Sequence, residues 1–183
     1  MSSAEPWQTA EIAGPKKAVV IAKPVMARAV IDHAKHPVIL MGSRVTVIGF
    51  DGEKFVDWLI RLARSRSVPV IAAGNTSRPL RERGYTDAVI MPAVEAAQRI
   101  ADPDWKGPTG KGHPDLVIVA GLPYPMAWTL LSGLKHAAPR TKTLTLDPVY
   151  HPNATLSFAN ITAREWQESL KAIAAETEGA GNV

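Results

Sequence analysis

The 183-residue chain has no cysteine at all. This removes disulfides, thiolate nucleophiles, Cys-type zinc sites and iron–sulfur ligation by the chain itself. Aromatic residues are scarce, at 6%. None interleaves with the arginines as a single-strand nucleic-acid binder would require. No apolar run approaches the ~20 residues of a membrane span, and the polar N-terminus has no apolar signal region. Charge of neither sign dominates: 21 Lys and Arg face 17 Asp and Glu, scattered along the chain for a net +4. A mildly basic, cytoplasmic protein with no nucleic-acid or membrane partner is the expectation.

Several chemical motifs are missing too. There is neither GxGxxG nor GxxxxGK[ST], so phosphate binding has no specific fingerprint. No GxSxG elbow marks a hydrolase. The five histidines, His33, His36, His113, His136 and His151, are dispersed without HxxxH or HExxH spacing, and no metal site is expected.

What is present is an alternation of two periods. From Pro24 a helical pattern carries Val25, Ala29, Val30 and Ile31 and stops at Pro37. Residues 38–41, VILM, then form a short continuous apolar run ending in Gly42-Ser43, the mark of a strand buried on both faces. The unit repeats: Phe55, Trp58, Leu59 and Leu62 are spaced for a helix, and residues 68–73 run into Gly74-Asn75-Thr76. Further strands are predicted at 88–91, 115–120 and 143–146, with helices at 92–100, through Met126, Leu130, Leu131 and Leu134, and after the capping-box spacing Thr162 to Glu165. This order predicts an open, mostly parallel, doubly wound α/β sheet with helices on both faces. Residues 16–176 are read as one domain, residues 1–15 as an arm crossing a neighbour's surface, and 177–183 as a flexible tail.

Ligands of such sheets bind beyond the carboxyl ends of the strands. The turns Gly42-Ser43, Gly74-Asn75-Thr76 and Gly121-Leu122 are therefore the candidate nucleotide or flavin cradle, although tight βα turns need glycine with no ligand at all. Two segments stand apart. Residues 102–114, DPDWKGPTGKGHP, hold three Pro and three Gly and predict a long surface loop. Residues 147–160, DPVYHPNATLSFAN, are turn-rich between strand and helix. Trp105, Tyr150 and Phe158 in these segments are candidate partner anchors, the competing account being that all three rings serve the core. Arg61, Arg64, Arg66, Arg78, Arg81 and Arg83 form a basic stripe, read first as a solvated helix face and second as a docking surface.

Taken with residues 34–43 (AKHPVILMGS), 102–107 (DPDWKG) and 110–112 (GKG), the 147–160 segment resembles the epsilon subunit of archaeal acetyl-CoA decarbonylase/synthase, from about residue 24 to 170. The resemblance implies a Rossmann-like domain of the deoxyhypusine-synthase, NAD/FAD-binding type. It implies a non-catalytic subunit that pairs with the large (alpha) nickel and iron–sulfur carbon monoxide dehydrogenase subunit in an alpha2-epsilon2 assembly. Stabilisation is the implied role, with assistance to electron transfer to FAD, in the acetyl-CoA and CO chemistry of methanogenesis. No tightly bound cofactor is expected, and FAD is the candidate if one is held. The alternative is a stand-alone FAD- or NAD-binding domain related to the central domain of thiamine-diphosphate enzymes. After Gly121 the chain has Leu122-Pro123-Tyr124-Pro125 and then Trp128, a thinner aromatic cluster than isoalloxazine stacking would want.

Overall fold

The computed structural model describes residues 17–50 and 52–175. The expected arm, 1–15, and tail, 177–183, lie outside them. Seven strands form one sheet: β1 (Val19–Val20), β2 (Pro37–Met41), β5 (Val70–Ala72), β6 (Val89–Ile90), β7 (Leu116–Ala120), β8 (Lys142–Thr145) and β9 (Leu156–Ser157). A small hairpin, β3 (Gly49–Phe50) with β4 (Glu53–Lys54), stands apart. The helices are α1 (Pro24–His33), α2 (Phe55–Ser65), α3 (Ser77–Glu82), α4 (Ala93–Ala101), α5 (Tyr124–Ala137) and α6 (Ala163–Ala174), with a 3-10 turn at Ser43–Thr46.

The sheet order is β1-β9-β8-β7-β2-β5-β6, and every pair in it is parallel. From β2 the chain winds one way to β5 and β6. It then returns to place β7 on the other side of β2 and winds the opposite way through β8 and β9. The reversal between β2 and β7 is a topological switch point of the Rossmann kind, as the doubly wound pattern predicted.

The two-sided burial of the central strands follows from their continuous apolar runs. Ile39 and Met41 of β2, with Leu116, Ile118 and Ala120 of β7, face a layer of α1, α2 and α6. Val38, Leu40, Val117 and Val119 face α4 and α5. In the first layer Phe55 meets Trp166 edge-on at 4.7 Å, and the fully buried Trp166 donates from Nε1 to the Leu146 carbonyl at 2.6 Å. The α6 cap forms as its spacing predicted: Thr162 Oγ1 accepts from the Glu165 amide, and Glu165 Oε2 accepts from the Thr162 amide.

The differences from expectation lie in short elements. β1, β9 and the β3–β4 hairpin are two residues per strand, too short to show a period. α3 was not anticipated because Pro79 breaks its pattern, yet Pro is tolerated in a first turn where amide groups lack helical partners. β6 shrinks to Val89–Ile90 and leaves Ile90 58% exposed. Among the described residues, no helix is long and apolar enough to cross a membrane.

Candidate functional site

Parallel strands and helix starts converge on the carboxyl edge of the sheet at the switch point. Gly42, Ser43, Gly74 and Leu122 line one shallow hollow of about 280 Å³ there, together with Ala73, Pro92, Ala93, Val94, Pro123 and Met126. Asn75, Thr76 and Gly121, expected in the same cradle, are not part of its wall. Thr76 is fully buried and donates its hydroxyl to the Ala73 carbonyl at 3.0 Å, closing the turn before α3.

Gly121 is inside the turn and not on its surface. Its φ is +67°, and a Cβ there would come within 2.3 Å of Val45 Cγ1. Gly42 is held as tightly, since its Cβ would lie 2.4 Å from the Gly121 carbonyl oxygen and 2.7 Å from Leu122 Cα. The Arg44 amide donates to the Gly121 carbonyl at 3.0 Å. The glycines on either side of the switch point therefore let two turns pack backbone to backbone. Gly74 is different: its φ is also +67°, but a Cβ would meet only the Ser43 side chain, no closer than 3.5 Å, so its open side faces the hollow.

A dinucleotide fits this hollow only in part. The first turns of α4 and α5 aim amide groups and helix dipoles at it, which suits an anion. No charged side chain lines it, however, and β5 is followed by Ala73-Gly74-Asn75 with no acidic residue to read ribose hydroxyls. Its volume is at the lower limit of the roughly 300–1,000 Å³ of ligand pockets. Among the described residues lining this hollow, none is a charged group for a flavin or nicotinamide phosphate.

Behind the switch point lies a polar group that the sequence reading passed over. Asp147, two residues past the end of β8, is 7% exposed and accepts the Gly121 amide on Oδ1 at 2.9 Å. Its Oδ2 is buried without a hydrogen-bond partner, as are His151 Nδ1 and Asn153 Oδ1. Desolvation pushes the Asp147 carboxyl up to about 7, with the Gly121 amide and the Arg44 charge pulling the other way. Burial lowers His151 to about 4, so the ring is neutral, and it stacks on Tyr124 at 4.7 Å. Only the position of Asp147 at a predicted strand end before Pro148 could have flagged it.

The candidate partner anchors turn inward. Tyr150 is 3% exposed and donates its hydroxyl to the Ala18 carbonyl at 2.9 Å; Phe158 is 2% exposed in the opposite layer. Half-buried Trp105 packs against the α4–α5 layer. These rings had read as anchors because they sit in polar, turn-rich text; the structure gives Tyr150 and Phe158 to the core. Their segments also lie apart, 102–114 at the amino edge of the sheet and 147–149 at the carboxyl edge.

The basic stripe is largely occupied within the chain. Arg61 pairs with Glu53 at 2.6 Å and covers the Trp58 ring at 3.7 Å. Arg66 pairs with Asp32 and Arg83 with Asp57, both at 2.6 Å. Arg64 donates to the Gly84 carbonyl, and Arg78 pairs with Glu82. Among the described residues no three His, Asp or Glu side chains converge in a metal-binding cluster.

Comparison with known proteins completes the picture. The family model described as "CO dehydrogenase beta subunit/acetyl-CoA synthase epsilon subunit" matches residues 1–174. The epsilon subunit of the acetyl-CoA decarbonylase/synthase complex of Methanothermobacter thermautotrophicus is 36% identical over 171 residues, 93% of this chain and 95% of that protein. Those of Methanothrix soehngenii and Archaeoglobus fulgidus (epsilon 1) are each 31% identical, over 85% and 87% of this chain and 81% and 84% of their own lengths. With a family model spanning nearly its whole length, the chain belongs to the CO dehydrogenase beta subunit/acetyl-CoA synthase epsilon subunit family.

Proposed function

We propose that this chain is a non-catalytic accessory subunit of the carbon monoxide dehydrogenase component of an acetyl-CoA decarbonylase/synthase. In this reading it binds the large nickel and iron–sulfur subunit in an alpha2-epsilon2 assembly and stabilises it. The observation that carries the reading is the closed switch point. Gly42, Val45 and Gly121 are packed together where this fold ordinarily admits its ligand, leaving an uncharged hollow. Absence of cysteine from the whole sequence assigns any iron–sulfur ligation to a partner. The names of the relatives, all subunits of one complex, support the same assignment.

The chain holds no cofactor tightly in this reading. A part in electron transfer to FAD would require a second protein wall over the hollow, because this chain supplies the anion-favouring helix starts and little else.

The test is reconstitution. The purified chain is assayed for CO-dependent dye reduction and for bound nickel and iron, then added to the large subunit, whose thermal inactivation is timed. The expected result is no activity and no stoichiometric metal for the chain alone, with a longer half-life for the large subunit in its presence. CO oxidation by the chain alone would refute the reading, as would an unchanged half-life at saturating chain. Flavin titration of the chain alone, read by fluorescence, should give no saturable binding at micromolar FAD.

A further inference from the structure

The two faces of the sheet are not covered alike: α1, α2 and α6 lie on one, α4 and α5 on the other. The chain passes from β8 to β9 without a helix. Beyond the end of α5 a cleft of about 520 Å³ opens there, nearly twice the switch-point hollow of about 280 Å³. That is the size of a small-molecule site.

The mouth of the cleft is basic. Lys17 reaches it from before β1, Lys135 and His136 from the last turn of α5, and Lys142 from the start of β8. No acidic side chain is among the described residues that line it. The carbonyl end of α5 favours positive charge, which accounts for Lys135 and His136 without any ligand. It does not account for Lys17 or Lys142, and Lys142 makes no ion pair among the described residues.

Further in, the wall carries buried polar groups. Thr143 is 4% exposed; its amide donates to Thr155 Oγ1 at 3.0 Å, and the Thr155 amide donates to Thr143 Oγ1 at 2.9 Å. Their hydroxyl oxygens are 3.5 Å apart, so at most one of the two hydroxyl protons is used between them. The other is left for an acceptor in the cleft. Asn153 is 2% exposed, and its Nδ2 donates to the Trp128 carbonyl at 3.3 Å, which settles which end of the carboxamide is oxygen. Its Oδ1 has no hydrogen-bond partner. A buried acceptor in that state is costly and calls for a donor from outside the chain. Ala138, Pro139 and Ala154 add apolar surface to the same wall.

We propose that this cleft binds a small phosphomonoester that carries an amino group, with the phosphate held by Lys17, Lys135 and Lys142 and the amino group donating to Asn153 Oδ1. A dianionic phosphate with three free oxygens matches three ammonium groups and a threonine hydroxyl, whereas a carboxylate brings one charge and two oxygens. The apolar body of the ligand lies on Ala138, Pro139 and Ala154. FAD, whose two phosphates are joined in a pyrophosphate, is not of this class. The site lies at the amino end of the sheet, away from the switch point, and does not depend on the accessory-subunit reading.

The test is titration calorimetry of the full chain with adenosine monophosphate. Beside it are run purine riboside monophosphate, which lacks only the amino group, adenosine, which lacks the phosphate, and inorganic phosphate. Adenosine monophosphate should saturate with a Kd below about 1 mM, and each of the other three should bind at least about tenfold more weakly. Lys142→Met should weaken adenosine monophosphate at least about tenfold with the parent melting temperature kept, while Lys111→Met, at a different hollow, should stay within about threefold of the parent. Asn153→Leu should bind the amino and deamino nucleotides equally. Should that variant melt early, the ratio of the two nucleotides on the parent chain decides the role of Asn153. No saturable binding up to about 10 mM adenosine monophosphate overturns the proposal, as does equal affinity of the parent for the two nucleotides or parent-like affinity in Lys142→Met. Inorganic phosphate binding as tightly as the nucleotide overturns it in favour of a bare oxyanion site.

Discussion

Asp147→Asn should make the protein more stable at pH 8 and leave it nearly unchanged at pH 4. The ordinary carboxyl value of 3.8 is raised by burial to about 7 in the folded chain. The folded state therefore holds the proton more tightly than the unfolded state. Stability from this group is full below pH 3.8 and is lost as pH rises through about 7. Three units at about 1.36 kcal/mol each come to about 4 kcal/mol of destabilisation above pH 7. His151 works in the opposite sense. Its folded value of about 4 lies below 6.5, so its contribution is full above pH 6.5 and is lost as pH falls through about 4, about 3 kcal/mol in all.

The two groups oppose each other between pH 4 and 6.5, and the parent curve alone would look nearly flat there. The difference between Asp147→Asn and parent isolates the carboxyl, because His151 cancels. Asn keeps an oxygen for the Gly121 amide and leaves one polar atom without a partner, as the protonated acid does. Urea denaturation at pH 4, 5.5 and 8 should therefore show a stability difference that grows by up to about 4 kcal/mol toward high pH, or roughly 8–16 °C in melting temperature for a chain of this size. A difference that stays constant within about 1 kcal/mol across that range would show that the carboxyl titrates as an exposed acid does, and would refute the burial argument.

Gly121→Ala should destabilise by at least about 3 kcal/mol in denaturant titration, since strain at positive φ adds to a clash with Val45, whereas Gly74→Ala should lose only about 1 kcal/mol at an equally positive φ in open space. Tyr150→Phe removes the bond to the Ala18 carbonyl and should lower stability by about 1 kcal/mol, leaving large-subunit affinity at the parent value. Trp166→Ala should lose about 3–5 kcal/mol in the same assay through the cavity against Phe55 and the unpaired Leu146 carbonyl. Thr162→Ala should lose about 1 kcal/mol by removing the α6 cap.

The sheet was legible because continuous runs such as 38–41 and 116–120 suit only strands covered on both faces, and the alternation with helical periods then permits few topologies. The candidate cradle was half legible. Glycines at strand ends announced tight turns, but a sequence cannot say whether the space gained by losing Cβ is filled by ligand or by protein. At Gly121 it is filled by Val45, and at Gly74 it is open. Tyr150 and Phe158 were misplaced because a turn-rich stretch reads as surface. In fact residues 146–155 join parallel β8 and β9 without a helix, so Tyr150 covers the sheet there, and Phe158, just past β9, packs into the opposite layer. The arginines could not be assigned from sequence because their partners, Asp32 for Arg66 and Asp57 for Arg83, are 34 and 26 residues away.

The segments that carry the family resemblance turn out to fasten this domain to itself. In AKHPVILMGS, the Lys35 and His36 amides donate to Asp115 at 2.8 and 2.9 Å, locking the entry of β2 to that of β7. In GKG, a Cβ on Gly112 would strike the His36 ring, and its amide instead closes the loop onto the Lys106 carbonyl. In DPVYHPNATLSFAN, Ser157 Oγ accepts from both Thr145 and the His151 amide, and Asn160 Oδ1 accepts from the Tyr150 amide. A domain whose most distinctive residues tie loops to strands is a stiff body. Its surfaces are then set before any partner arrives, and a stiff apolar face loses less conformational entropy on docking than mobile loops of equal area would. By that reasoning, substitutions in the fastening segments should weaken association with a partner only as far as they lower stability.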